Sequence, residues 1–223
     1  ELTALNYYTN EEITIPLDPT QTPGENAQRY FAKYNKQKRT FEALTELIQE
    51  TADDIQYLES ISNALDIALS EADLAQIKEE LMQSGYIRRK HTKKKVKLTS
   101  KPMHYISSDG YDMYVGKNNL QNEELTFSFA NGNDWWFHAK GAPGSHVIVK
   151  SGGDELPDRT FEEAGRLAAY YSKNRGADKV EIDYIQKKHV KKPNGAKPGF
   201  VVYYTNYSLV IDSDISNIKN VQD

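Results

Sequence analysis

Ile13, Ile15 and Leu17 alternate with their neighbours near the start of the chain. Pro16, Pro19, Pro23 and Gly24 then break any regular element, so residues 1–24 read as a lead-in. From Glu25 to Leu69 the spacing turns helical. Tyr34, Phe41, Ile48 and Ile55 recur every seven residues, with Leu44, Thr51, Leu58 and Leu65 at the partner positions. No glycine or proline interrupts this span, which predicts a helix longer than about 60 Å at ~1.5 Å per residue. So narrow an apolar stripe needs a partner. Ser70-Glu71-Ala72-Asp73 has the form of an N-cap with acids in the first turn, opening a second helix through Leu74, Ile77 and Leu81 to a stop at Gly85. That helix is too short to cover the first. The stripe is left to bend back on itself, to pair with upstream sequence, or to meet another chain. A plain helical spacer is an equal alternative. Residues 25–87 are therefore read as a coiled-coil or helical arm, with self-association as one of its expected uses.

From Met103 the pattern shortens to strands. His104–Ser107 and Tyr111–Val115 flank Ser108-Asp109-Gly110, a hairpin signal. Leu125–Phe129 alternates as a further strand. Trp135, Phe137 and Ala139 share one face of the next, and Trp136, His138 and Lys140 share the other. Gly141–Ser145 turns the chain, and Val147 and Val149 return on the core side. Thr160-Phe161-Glu162-Glu163 reads as a capping box before an amphipathic helix whose stripe is Phe161, Ala164, Leu167, Ala168 and Tyr171. Val180–Ile185, Phe200–Tyr204 and Ser208–Ile211 complete the set. The fold class is α+β: a long helical coiled-coil arm, a linker over residues 88–102, a β-rich domain with at least one packed helix over 103–212, and a tail over 213–223.

Composition narrows the chemistry. The chain lacks cysteine, which excludes disulfides, thiolate nucleophiles and cysteine-based zinc sites. No apolar run approaches the ~20 residues that span a bilayer, so no membrane insertion is expected. The chain starts at Glu1 without a methionine, which suggests a piece of a longer protein. The net charge of −4 conceals segregation. Glu42 to Glu80 holds eleven acidic residues against Lys78 alone. Arg88, Arg89, Lys90, Lys93, Lys94, Lys95, Lys97 and Lys101 then follow with no acid between them, and so do Lys187, Lys188, His189, Lys191, Lys192 and Lys197.

That second run is punctuated by Pro193, Gly195, Pro198 and Gly199, so it is a loop and not a solvated helix face. Its lysines suit phosphate contacts, which position a nucleic acid without reading its sequence. The candidate RNA-binding residues are Lys187, Lys188, His189, Lys191, Lys192 and Lys197. Beside them stands a reading surface of Trp136, His138, Lys140, Ser145 and His146. The linker residues Arg88, Arg89, Lys93, Lys94, Lys95 and Lys97 add non-specific attraction. Trp136 has two readings, base stacking or core packing, and both stay open. His138 and His146 are open in the same way, as contact residues or as satisfied structural histidines. Asp134, His138 and His146 lack the spacing of a metal site. No phosphate-binding loop, dinucleotide fingerprint or nucleophile elbow is present. The chain is read as non-enzymatic, with no cofactor and no metal.

Two stretches carry a family resemblance. Asp134-Trp135-Trp136-Phe137-His138-Ala139-Lys140-Gly141-Ala142-Pro143-Gly144-Ser145-His146-Val147, together with Lys188-His189-Val190-Lys191-Lys192-Pro193 through Gly195-Ala196-Lys197-Pro198-Gly199, resembles the C-terminal NFACT-R domain of the NFACT family, which comprises the RqcH, NEMF and FbpA-type proteins. Ile15-Pro16-Leu17 through Asn26–Tyr34 resembles the lead-in to that family's middle coiled coil. The resemblance implies a cytoplasmic, ribosome-associated quality-control factor. Such proteins bind the large ribosomal subunit, recruit tRNA and promote C-terminal tailing of stalled chains, with alanine in bacteria. The family's N-terminal NFACT-N and helix-hairpin-helix regions are not recognised in this sequence, so their tRNA-recruiting residues are not carried over. The FbpA-type name implies an alternative, a fibronectin-binding adhesin that reaches the cell surface without a signal peptide.

Overall fold

The computed structural model describes residues 1–88 and 100–221. The chain divides into two compact units, Glu1–Asp54 and Ile55–Asp223. Among the described residues no helix is long and apolar enough to cross a membrane.

In the first unit, β1 (Leu2–Asn6) and β2 (Glu11–Ile15) form an antiparallel hairpin in the register Leu2↔Ile15 to Asn6↔Glu11. Helix α1 (Pro23–Ile67) begins here and continues into the second unit. Its start is defined chemically. The Glu25 carboxylate accepts from the Thr22 backbone N–H at 2.7 Å and from the Thr22 hydroxyl at 2.8 Å, and Pro23 occupies the first helical position. The predicted stripe is uncovered: Tyr34 is 58%, Phe41 72% and Ile48 68% exposed.

In the second unit the remainder of α1 packs against α2 (Glu71–Gln83), but through a different face from the predicted one. Tyr57, Ile61 and Ala64 are buried with Ile77, while Ile55, Leu58 and Leu65 face outward. The small Ala64 side chain lets α2 come close, and the Tyr57 hydroxyl needs a buried polar partner, which α2 supplies as Glu80. The buried face is thus the one that carries Tyr57, Ile61 and Ala64, and not the seven-residue stripe. Ser70 and Asp73 form the predicted cap as a full capping box, and Gly85 takes the left-handed φ of 82° that ends the helix.

Glu80 is wholly buried, and its Oε1 accepts from the Tyr57 hydroxyl at 2.9 Å and from Asn119 Nδ2 at 2.8 Å. Its Oε2 is buried and has no hydrogen-bond partner among the described residues, although the Asn119 and Leu120 backbone N–H groups favour the charged carboxylate. Desolvation raises its carboxyl pKa above the ordinary value, with the Asn119 and Tyr57 bonds opposing. A carboxyl raised in this way contributes stability below its unfolded pKa and loses it as pH rises through the folded value. Glu80→Gln imitates the protonated acid. The variant is expected to melt higher than wild type at pH 8, with the gap closing towards pH 4. Equal melting temperatures across that range would show Glu80 ionising normally.

The rest of the unit is a seven-stranded antiparallel sheet. Its strands are β3 (Met103–Ile106), β4 (Asp112–Val115), β5 (Trp135–Ala139), β6 (Val147–Val149), β7 (Val180–Gln186), β8 (Tyr207–Ile211) and β9 (Lys219–Asn220), in the order β8-β7-β5-β6-β4-β3-β9. Residues after β8, read as a tail, supply β9 along β3 and place Ile218 in the core. Helix α3 (Asn119–Glu124) leads into a π-helical turn at Leu125–Phe129, and α4 spans Asp158–Tyr170. The sheet face bearing Phe137, Ala139, Val147 and Val149 buries Ala164, Leu167 and Ala168 of α4. The opposite face bears Trp136, Ile148 and Ile185. It is covered by Leu125 and Ala130 and by Val190, Val201 and Tyr203 of the long loop before β8.

Three local expectations change. Leu125–Phe129 is not a strand: Ala130 N–H donates to the Leu125 carbonyl at 2.9 Å, the i→i+5 bond of a π turn. Phe200–Tyr204 is not a strand either, and contributes one isolated bridge, Lys191↔Val202. Helix α4 starts after Pro157, so Thr160 is inside it and not its cap. Thr160 and Glu163 turn instead to the β3–β4 hairpin. The Thr160 hydroxyl donates to Asp109 at 2.9 Å, and Glu163 accepts from the Ser108 N–H at 2.8 Å.

Candidate nucleic-acid interface

Strand β5 alternates as predicted, yet neither of its faces is open. Trp136 is 0% exposed. Its indole lies 5.1 Å from the His146 ring, 5.6 Å from His138 and 4.9 Å from Tyr203, within the core between the sheet and the π turn. The base-stacking role for Trp136 is thereby corrected: it is a core residue, because a second layer roofs the face that the alternation left bare. Ser145 and His146 are buried as well. The His146 N–H donates to Asn122 Oδ1 at 2.9 Å, and its Nδ1 lies 2.8 Å from the Thr126 hydroxyl, so both residues leave the proposed contact surface. His138 keeps partial exposure, while burial pushes its pKa down to about 4. Lys140 is exposed and ion-paired with Glu181 across the β5–β7 edge.

The basic run divides into two groups. Lys187, Lys188 and His189 form a 3₁₀ turn directly after β7. Its backbone is pinned from below: Lys187 N–H donates to the Asp134 carbonyl at 2.8 Å, and Lys188 N–H to that of Gly132 at 3.0 Å. Asp134 makes that anchor rigid. Buried itself, it accepts from the Asn131 N–H at 2.7 Å and the Ser151 N–H at 3.2 Å and pairs with Lys150. Lys188, His189 and Lys191 are exposed, and Lys187 partly so. Lys187, Lys188 and Lys191 form no ion pair among the described residues. Lys192 is committed to Glu123 at 2.7 Å. Lys197 donates to the Tyr86 hydroxyl at 2.8 Å, with its ammonium 4.6 Å from the Tyr57 ring centre. Arg88 is exposed, whereas Arg89, Lys93, Lys94, Lys95 and Lys97 lie outside the described residues.

The π turn supplies aromatic groups that alternation alone assigns to a strand. Phe129 is 41% exposed, with Lys150 Nζ 4.9 Å from its ring centre. Tyr114 meets Phe129 edge-on at 4.7 Å, and His104 stacks on Tyr114 at 4.5 Å. Lys187 Nζ lies 5.9 Å from the Phe127 ring. Ammonium groups beside partly exposed rings are the arrangement that holds phosphates while bases stack. The basic turn and this aromatic ledge are the candidate interface, with Phe127 and Phe129 as its unforeseen members and Lys150 held to Asp134 beneath them.

Known proteins align with this geometry along nearly the whole chain. Residues 1–100 match the family model for NFACT N-terminal and middle domains, and residues 101–205 match the NFACT protein RNA binding domain. The Rqc2 homolog RqcH of Streptococcus pneumoniae serotype 2 is 46% identical over 218 residues, 97% of this chain and 39% of that protein. The Rqc2 homolog RqcH of Bacillus subtilis strain 168 is 42% identical over 221 residues, 96% of this chain and 38% of that protein. The chain thus spans under two-fifths of the length of these curated relatives. A solved structure of the C-terminal part of the fibronectin/fibrinogen-binding protein from Streptococcus suis superposes with a TM-score of 0.79 at 43% identity, covering 89% of this chain and 79% of that one. On these matches and this fold, the chain belongs to the NFACT family.

Proposed function

We propose that this chain is an RNA-docking part of a ribosome-associated quality-control factor, gripping RNA of the large ribosomal subunit and tRNA. The observation that carries this reading is the outward turn of Lys187 and Lys188, with Lys191 following, which lies beside Phe127 and is pinned through its backbone to the Asp134 turn. Lysines held on an anchored turn meet phosphates without the ordering cost of a free loop. The match to a family RNA-binding domain supports the same assignment. In this reading the chain acts in the cytoplasm, holds no cofactor and performs no chemistry itself. Recruitment of charged tRNA and alanine tailing of stalled chains belong to the whole factor.

Co-sedimentation with purified large subunits tests it. Lys187→Ala/Lys188→Ala/Lys191→Ala is expected to weaken binding and to flatten its salt dependence. For single-stranded RNA, removing one lysine–phosphate pair lowers the log–log slope by about 0.7. Unchanged affinity and slope would place the interface elsewhere.

A second reading, fibronectin binding, is favoured by one observation. Strand β8 lies at the edge of the sheet, with Tyr207 59% and Val210 61% exposed, and an extended partner segment could add there as a further strand. Such binding would be less sensitive to salt than lysine–phosphate contacts and would survive the lysine substitutions.

A further inference from the structure

A cavity of about 220 Å³ opens in the second unit between the Gly141–Gly144 turn, the end of the basic loop and the C-terminal half of α1. Its walls are Pro143, Pro198, Phe200 and Tyr203, with His138 and Asn122 deeper inside. No lysine, arginine, aspartate or glutamate lines it among the described residues. The strong positive charge of this region stands outside: Lys197, next in sequence to Pro198, holds its ammonium above Tyr57, another lining residue. A phosphate inside the cavity would lose its water and find no cation, which is prohibitive. A purely aliphatic ligand would leave the Gln56 amide and the imidazole of His138 facing hydrocarbon.

The cavity also falls below the roughly 300–1,000 Å³ of pockets for drug-sized ligands, so its occupant is small. Flat apolar walls, a few neutral donors and acceptors, and cations only beyond the rim describe one class of guest: a heterocyclic base attached to a charged backbone. His138 is suited to that role, because burial keeps the ring neutral at pH 7 and, with one ring nitrogen donating to the Gly144 backbone, the other is left as an acceptor. The backbone shape is also specific. Gly199 adopts a φ of +76°, and a Cβ built there would come within 3.0 Å of Asn119, so this wall of the cavity requires glycine.

We propose that this cavity receives one unstacked nucleobase of a single-stranded RNA, with an adjoining phosphate met at the rim by Lys197. The proposal rests on the RNA-docking reading above and adds to it a site that engages bases and not only backbone. Single-stranded RNA is recognised in this way, by bases splayed out of their stack and held against aromatic side chains.

Fluorescence anisotropy with a labelled short single-stranded RNA, and with a fully abasic strand of the same length, separates the two layers. Phe200, 37% exposed, forms a wall that can be removed without emptying a core, and Gln56 is an exposed helix position from which Gln56→Trp fills the cavity. Phe200→Ala and Gln56→Trp are each expected to weaken RNA binding roughly tenfold, within the range for removing one base–aromatic stack. The salt slope should stay at the wild-type value, and neither variant should change binding of the abasic strand. The proposal is overturned if both variants bind RNA within twofold of wild type, or if they lose as much on the abasic strand. In either case the lysine turn would still register in the salt slope, and the RNA-docking reading would stand. If wild type binds neither strand, both readings fall together.

Discussion

Trp136→Ala is expected to lower folding stability by roughly 3–5 kcal/mol, the usual cost of emptying a core site of a large aromatic residue. The indole is fully buried and touches both imidazoles and Tyr203, so deletion unpacks the layer that roofs its sheet face. Trp136→Phe, which leaves a smaller void, should lose less. Denaturant melts of both variants beside RNA titrations decide the matter. Stability should fall while binding of an abasic strand, per folded molecule, stays near wild type, because the lysine turn does not rest on the indole. A Trp136→Ala protein of normal stability that no longer bound RNA would restore the base-stacking role.

Acid should unfold the second unit earlier than its carboxylates alone require. His138 is held at about pKa 4, and His146 well below the ordinary 6.5. Burial is the main cause for both. The Gly144 backbone and Asp183 partly offset it for His138, whereas His138 adds to the depression at His146. The unfolded chain binds protons at these sites from about pH 6.5 downward and the folded chain does not. The stability from neutral burial is therefore complete above pH 6.5 and is lost as pH falls towards 4. At about 1.4 kcal/mol for each pH unit between the folded and unfolded values, His138 alone accounts for roughly 2–3 kcal/mol, discounted because its ring is partly solvated. Urea midpoints at pH 7, 5.5 and 4.5 should fall steadily for wild type. His138→Gln should flatten that trend even if it starts from a lower value at pH 7. An equally steep trend in His138→Gln would assign the acid sensitivity to other groups.

Much of the fold was legible because its signals are local. The β3–β4 hairpin lies in Ser108-Asp109-Gly110, the α2 start in Ser70 and Asp73, and the α2 stop in Gly85, each with a turn or cap chemistry that no distant contact overrides. Of the candidate interface, the exposed lysines were legible and the neighbouring aromatics were not. Lys187, Lys188 and Lys191 stand outward because proline and glycine keep their loop from joining the sheet. Trp136 misleads because period-two alternation reports that a strand has two faces but not whether something covers the second. Its cover comes from the π turn and the loop around Val190 and Tyr203, neither of which has a regular period. Phe127 and Phe129 were hidden by the same rule acting in reverse, since Leu125-Thr126-Phe127-Ser128-Phe129 alternates like a strand while the chain coils. In α1 the heptad stripe marks the uncovered side, because the docked face is held by contacts distant in sequence: Tyr57 with Glu80, Asn63 with the Tyr171 carbonyl, and Ile61 and Ala64 with Ile77.

The double roofing of the sheet also governs how any strand of nucleotides can be met. Folds that read RNA across an open sheet spread the bases over a flat platform, one beside the next. Here both flats are occupied, by α4 on one side and by the π turn with its loop on the other. Contact is displaced to the perimeter, where side chains rise from turns whose stems are clamped in the layers beneath. A perimeter engages a chain at separate points and tolerates whatever lies between them. This geometry favours an RNA that meets the rim at separate points over a run of bases laid side by side on one surface.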